Sequence, residues 1–496
     1  MLPMNIEMPI SIALGVVSSF FSVRWIYFKI LKIAFEKRLV DNPDARKLQK
    51  SPIPVVGGLA VFFGVLAGML IASVSHHLIS PIDEHVGLFP IIVAMGIMLY
   101  VGSLDDIVGL TPRSRLLIEI VTIVCLIFSS GLCIDTFRGM WGVGQFSWWV
   151  AVPLTVFAGV GIVNAINMID GVNGLSSGLC MACCILFGVL FIKAEDIPNA
   201  VLAFTMASAL LPFYIHNVFG LKSRMFIGDA GTMVMGILMT WFLICILSSE
   251  SRIAYYSDAA GINLIALSLA ILSVPVFDTL RVMSVRMMHK KSPFKPDKTH
   301  LHHIFVNVGF SHFVTAVSEI LIGLVITALW GISVLCRASL DLQLYIVVIA
   351  AVILVWGTYV FLYVHAKNHT EFLHKITHFS VKTHLGRTEW WQAITSWLDA
   401  PEGYYSVDLQ DSLPSMKLPE HIDSTNSILQ GENRKKVLDY LKGKAEVYLF
   451  DLKTNCGVDE EQVLPILFKE IQDGYVTVIK SDSDDIPTIV ALKSEK

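Results

Sequence analysis

Between Pro9 and Val364 the chain is divided into apolar runs, each near the roughly 20 residues a helix needs to cross a bilayer. No other feature restricts the fold as strongly. The runs lie at about 9–31, 53–74, 88–104, 116–132, 147–166, 175–193, 197–218, 230–248, 261–285, 313–335 and 342–364. With 54% hydrophobic and 16% charged residues, the composition belongs to a membrane protein. The expected fold is an all-α polytopic membrane protein of about eleven transmembrane helices, carrying a small cytoplasmic α+β domain at its C-terminus. Basic residues, and no small-residue cleavage site, follow the first run, so it is expected to be retained as a span. Of the eight cysteines only Cys180 and Cys183 stand at a C-x-x-C spacing, and they sit with Cys125, Cys184 and Cys245 inside apolar runs as small packing residues.

Loop charge sets the expected orientation. Lys32, Lys37, Arg38, Arg46, Lys47, Lys50, Arg113, Arg115, Lys222, Arg224, Arg286, Lys290, Lys291, Lys295 and Lys298 fall in one set of loops. The opposite set holds little beyond Arg138, Lys193, Arg252 and Arg337. The positive-inside rule puts the first set in the cytoplasm, the N-terminus outside and the C-terminus inside.

On that map the polar motifs all fall on the cytoplasmic face. They are Asp41 to Lys47 with Pro54-Val55-Val56-Gly57-Gly58, Asp105-Asp106, Asn164 to Gly174, Phe226 to Gly231, and Lys298 to His303. The aspartate pair terminates a run, Phe89 to Val101, that carries no charge, and two carboxylates at the edge of the apolar phase are costly without a task. Carboxylates, amides, arginine and histidine at one membrane face suit a magnesium-assisted phosphoryl transfer. Mg²⁺ takes a few protein oxygens plus substrate phosphate, and arginine holds the remaining phosphate oxygens. A secondary transporter is the competing class, but transporters place their charges near the bilayer midplane, often with two related halves, and neither is seen here.

The paired aspartates, the Asn-Ala-x-Asn-x-x-Asp-Gly-x-x-Gly element, the Gly-Asp-x-Gly element and the His-x-His-His cluster, in that order, resemble the polyprenyl-phosphate N-acetylhexosamine-1-phosphate transferases. The histidine pattern is similar to the WecA and TagO branch rather than to the muramoyl-pentapeptide branch. The resemblance implies a bacterial inner-membrane enzyme that joins N-acetylglucosamine-1-phosphate from UDP-N-acetylglucosamine to undecaprenyl phosphate and releases UMP, with another UDP-N-acetylhexosamine or a muramoyl-pentapeptide donor as the alternative. It implies Mg²⁺, with Mn²⁺ as a substitute, on Asp229 and Asn167, and catalytic work by Asp105 and Asp106. It places Arg115 on the pyrophosphate, Asn173 at the uridine, Asn164 on the substrate, and Asp170 at the nucleotide or metal region.

Ordinary readings stand beside these roles. Asp229 suits a helix N-cap, Arg115 an i,i+4 pair with Glu119, and Asn164 and Asn173 plain turns. Arg46 and Lys50 are substrate contacts or simply inside-positive charge. His300, His302 and His303 are expected as acid-base or phosphate-holding groups on a loop, since i and i+2 do not share a helix face. Asp278 and Arg281, one turn apart, are a structural pair or lie near the lipid phosphate.

Residues 366–400 combine histidines with Trp390, Trp391 and Trp397 at helical spacing, as in an amphipathic helix at the headgroup level. Residues 401–433 are expected as a linker and 434–496 as a small domain of three short helices and a hairpin, winged-helix-like. Acidic residues outnumber basic ones there, which argues against nucleic acid and for an unidentified protein partner or a regulatory role. Self-association as a homodimer stays open.

Overall fold

The computed structural model describes residues 4–37, 39–41, 53–79, 85–251, 253, 257, 261–292, 299–367, 388–399 and 424–442, and in the tail 447–448, 452, 463, 466–467, 470, 476–481 and 487–492. The chain divides into two units, one of residues 1–39, 54–303 and 312–359 and one of residues 40–53, 304–311 and 360–496.

The first unit is a helix bundle. Its helices are α1 (Met4–Glu36), α2 (Gly57–Ile79), α3 (Phe89–Val108), α4 (Pro112–Ser130), α5 (Trp148–Met168), α6 (Leu175–Lys193), α7 (Ile197–Phe219), α8 (Gly228–Leu247), α9 (Leu264–Ile271) and α10 (Ser273–Met288). There follow the short α11 (Leu301–Asn307) and α13 (Leu340–Lys367), each of which runs from the first unit into the second, and between them α12 (His312–Leu335); α13 has a π turn at Val352–Gly357. Among the described residues nine helices are long and apolar enough to cross a membrane, and ten if α9 and α10 count as one bent span.

Two departures from the expected runs have local causes. The run at 261–285 is bent by 79° between α9 and α10. Pro275, in the first turn of α10, has no N–H to give to Ile271, so a continuous helix cannot pass Leu272. The run at 116–132 does form a helix, but α4 begins earlier and carries Arg113, Arg115 and Glu119 in its first two turns, so it is not among the nine.

α8 organises the bundle. From Gly228 to Leu247 every residue except Asp229 is buried, as expected of a helix that is apolar all round. α3 and α5 pack along it, α1 lies along α2 and α7, and α6 lies along α7. Glycines set the closest approaches. A Cβ at Gly102 would lie 2.4 Å from the Ala230 Cα, and one at Gly58 would lie 2.4 Å from the Gly231 nitrogen. Small residues let backbones meet where lipid offers no hydrophobic drive for helix association. Trp25, Leu70, Tyr100 and Phe157 are exposed on the outer helices, where a soluble protein would carry charge.

In the second unit, α14 (Glu389–Leu398) leaves Trp390 and Trp397 exposed. α15 (Ser424–Leu441) starts inside the stretch expected as linker. The strands β1 (Val447–Tyr448), β2 (Val476–Ser481) and β3 (Pro487–Leu492) form an antiparallel sheet in the order β1-β3-β2. The expected hairpin is β2-β3. Val447 and Tyr448, expected in a helical run, form a strand instead, because this β-branched and aromatic pair lies opposite Val490 and Ile489. Val437, Leu441, Val447, Leu452, Val463, Leu467 and Val476 make one small core. Beside it Arg434 grips the buried Glu470 through Nε at 2.5 Å and Nη2 at 3.0 Å.

Candidate active site

The site lies at one end of the first unit and begins with the turn between α3 and α4. Gly109 leaves α3 with φ of +74°, and Thr111 caps α4, its hydroxyl accepting the Ser114 N–H at 3.2 Å. The turn is short enough for the Asp105 carboxylate to accept the Leu110 N–H at 2.7 Å and an Nη1 bond from Arg115 at 3.2 Å. Arg115 Nη1 also lies 3.6 Å from Asp229 Oδ2.

Asp106 turns the other way. Its two oxygens accept the N–H groups of Asp229, at 2.9 Å, and Ala230, at 3.2 Å. It therefore caps α8 from another helix and takes the place at the positive helix end that Asp229 would fill in an ordinary N-cap. This fit needs a glycine at 228, where φ is +70° and a Cβ would lie 2.6 Å from Asp106 Oδ2. The Pro54 to Gly58 segment holds the same turn, with the Phe226 N–H donating to Pro54 O at 2.7 Å and the Gly57 and Gly58 N–H groups donating to Phe226 O and Ile227 O at 2.9 Å. Asp229 is thereby free to point outward beside Asp105.

The end of α5 supplies the amides. Asn167 Nδ2 donates to Asp229 Oδ1 at 2.6 Å and to Thr232 Oγ1 at 2.7 Å. Asn164 Nδ2 donates to Glu119 Oε2 at 2.6 Å. Beyond the helix, the exposed Asp170 accepts the Ser176 hydroxyl at 2.5 Å, and the half-buried Asn173 stands in the turn before Gly174. Asn217, buried on α7, ties this turn to the one before α8, accepting the Gly174 N–H at 2.7 Å and donating to Met225 O at 2.8 Å.

The histidine segment is anchored by Asp278. Arg281 donates to Asp278 Oδ1 at 2.7 Å through Nη2, His300 Nδ1 meets Oδ2 at 2.8 Å, and the Leu301 N–H bonds the same carboxylate. Arg281 also donates to Thr299 O and lies 3.6 Å from the centre of the Tyr359 ring. His302 and His303 then fall in the first turn of α11, not in an open loop as expected. The two rings sit with centroids 4.2 Å apart, on successive positions rather than one helix face. His302 packs against the Asp170-Gly171 turn, where a Cβ on Gly171 would lie 2.3 Å from its Nε2. Burial, and then the neighbouring His303 and His300, holds the His302 imidazole well below its usual range, so it is neutral near pH 7.

The chemistry of the donor set is one-sided. Asp105, Glu119 and Asp229 surround one guanidinium, and Asp106 adds a fourth carboxylate at the N-terminus of α8, so the cluster is rich in negative charge. Among the described residues no three carboxylate, histidine or cysteine side chains gather as a closed metal site.

Residues 88–247 match the model of glycosyl transferase family 4. A probable undecaprenyl-phosphate N-acetylglucosaminyl 1-phosphate transferase of Bacillus subtilis is 30% identical over 344 residues, covering 69% of this chain and 90% of that protein. The chain belongs to glycosyl transferase family 4. Two further relatives are undecaprenyl-phosphate alpha-N-acetylglucosaminyl 1-phosphate transferases. That of Yersinia pestis is 29% identical over 57% of this chain and 74% of its own length, and that of Escherichia coli K12 is 27% identical over 66% and 85%.

Of the residues expected at the family 4 site, Asp105, Arg115 and Asn164 share one hydrogen-bonded set with Glu119, while Asn167, Asp229 and Asp106 share another. The ion pair between Arg115 and Asp229 joins the two, and His302 meets the turn that carries Asp170. Arg46 and Lys50 lie outside the described residues. Glu119, weighed only as a surface-type partner, is buried and central, and its signal was a lone carboxylate within an apolar run. Asn217 and Thr232 carry no sequence signal because each sits in an apolar helix and works through contacts remote in sequence.

Proposed function

We propose that this chain is the enzyme its relatives' names describe, transferring N-acetylglucosamine-1-phosphate from UDP-N-acetylglucosamine to undecaprenyl phosphate at the cytoplasmic face of a bacterial inner membrane. The observation that carries the reading is the Asp105-Arg115-Asp229-Asn167 network at the ends of α3, α4, α5 and α8. The lipid tail stays in the bilayer while its phosphate meets the nucleotide sugar. An oxygen of the lipid phosphate attacks the β-phosphorus, the bond from that phosphorus to the bridging oxygen breaks, and UMP leaves with the electron pair. A phosphate monoester is largely dianionic at neutral pH, having its second pKa near 6, so the nucleophile needs no strong base. The protein's task is to hold mutually repelling phosphates in line.

Asp229, with Asn167 and Asp105 beside it, fits a hard divalent cation such as Mg²⁺, which binds through one or two carboxylates and takes its other ligands from phosphate and water. When bound, that ion offsets charge on the pyrophosphate. Arg115 holds further phosphate oxygens, Asp106 keeps α8 and hence Asp229 in place, and neutral His302 borders the nucleotide turn. Asp105 already has both oxygens engaged by donors, which suits charge-holding better than covalent attack. All eleven apolar runs are spans in this proposal, and the tail is a winged-helix-like regulatory module, a reading supported by its β1-β3-β2 sheet, whose Val447 and Val476 share one small core with Val437 and Leu441 of α15.

The test is UMP release by the purified protein. Release should require UDP-N-acetylglucosamine, undecaprenyl phosphate and Mg²⁺ together, and other UDP-sugars should be poorer donors. No release with any nucleotide sugar would sink the reading.

A further inference from the structure

We infer that Glu119 is a positioning residue that sets the Arg115 guanidinium for the pyrophosphate, and that Asn164 acts on the reaction through Glu119 rather than on substrate. The inference rests on the transfer reaction proposed above and assigns to two residues a task within it.

The Glu119 side chain has 0% exposure. A carboxylate without water needs both oxygens satisfied, and here both are. Oε1 accepts Arg115 Nε at 3.1 Å, and Oε2 accepts Asn164 Nδ2 at 2.6 Å. The Asn164 amide is itself fixed, since Nδ2 also donates to Val160 O at 2.9 Å, one turn back on α5. A chain of hydrogen bonds thus runs from the α5 backbone through Asn164 and Glu119 to Arg115.

Its effect follows from guanidinium geometry. The fork is planar, so fixing Nε fixes the direction of the Nη groups. With Nε on Glu119, Nη1 points to Asp105 at 3.2 Å and Asp229 at 3.6 Å. Arginine is thereby held at the rim of the acidic cluster instead of sweeping through it. An ordinary i,i+4 pair on a wet helix face would give the same Arg115 to Glu119 contact. It would not bury the acid, and it would not recruit an amide from α5.

A double-mutant cycle on the full-length protein tests this, with kcat and KM for UDP-N-acetylglucosamine measured in wild type, Glu119→Gln, Arg115→Lys and the double variant. Glu119→Gln keeps the shape and should lower kcat/KM by about 10- to 100-fold, the scale of loss when a catalytic group is misplaced. In the Arg115→Lys background, where no Nε remains to be held, the same change should cost less than about twofold. Asn164→Ala with Arg115→Lys should couple in the same way, and it carries the test if Glu119→Gln does not fold. Losses that multiply in the double variants, or a Glu119→Gln enzyme within about twofold of wild type, would overturn the inference. Wild-type turnover separates this outcome from failure of the reaction itself, because without UMP release from wild type the proposed function falls first.

Discussion

Two charged clusters at the same end of the bundle use the same residue types to opposite ends. Around Asp278, one carboxylate meets one guanidinium, one imidazole and a backbone N–H, and Asp278, Arg281 and His300 are at most 5% exposed. Around Asp229, carboxylates outnumber the cation, and the Asp229 side chain is 35% exposed. Asp278 itself is fully partnered, as a buried charge must be, while the buried Glu319 that faces Asp278 and Arg281 has no hydrogen-bond partner among the described residues. The Asp229 cluster is open and lacks positive charge. The partnering of Asp278 marks the part that holds the histidine segment in place, and the deficit marks the part that receives a cation and phosphates.

Substitutions should separate the two clusters. Asp229→Asn should reduce UMP release by about 1000-fold or more, as expected when transition-state charge loses its support, while the thermal unfolding temperature stays within a few degrees of wild type. Asp278→Asn should act in the other order. It leaves the buried Arg281 charge uncompensated and should cost about 3–5 kcal/mol of stability, read by thermal or denaturant unfolding, with activity lost as folded protein is lost. Equal effects of the two changes on stability would erase the distinction.

Smaller effects sharpen it where the histidines meet the nucleotide turn. Gly171→Ala forces a Cβ against His302 Nε2 and should lower kcat about tenfold with a stability cost of about 1–3 kcal/mol. The pH dependence of stability gives the finest contrast. The folded-state pKa of His302 is lowered by burial, so the unfolded chain takes up its proton first. Its contribution is complete above the unfolded value of about 6.5 and is lost as pH falls from there toward the folded value. The unfolding temperature should therefore drop on acidification less steeply in His302→Gln than in wild type, and parallel profiles would contradict the assignment.

The helices and the family motifs were legible because each is a local pattern, an apolar run or a polar cluster at its end. What the chain did not display were contacts between distant segments. That Asp106 caps α8 depends on Gly102 letting α3 approach Ala230, and no spacing within Ser103 to Arg115 shows it. Asn217 joins two turns from a third helix. The break before α10 was signalled by Pro275 but masked by the apolarity on both sides. Val447 and Tyr448 look helical until β3 is laid beside them.

The most direct test of the account is a count of bound Mn²⁺ by electron paramagnetic resonance on the purified protein with UDP-N-acetylglucosamine. Wild type and folded Asp278→Asn protein should each hold one Mn²⁺ per chain in this account, and Asp229→Asn should hold none. An Asp229→Asn protein that binds Mn²⁺ as wild type does would contradict the assignment of the open acidic cluster as the cation site.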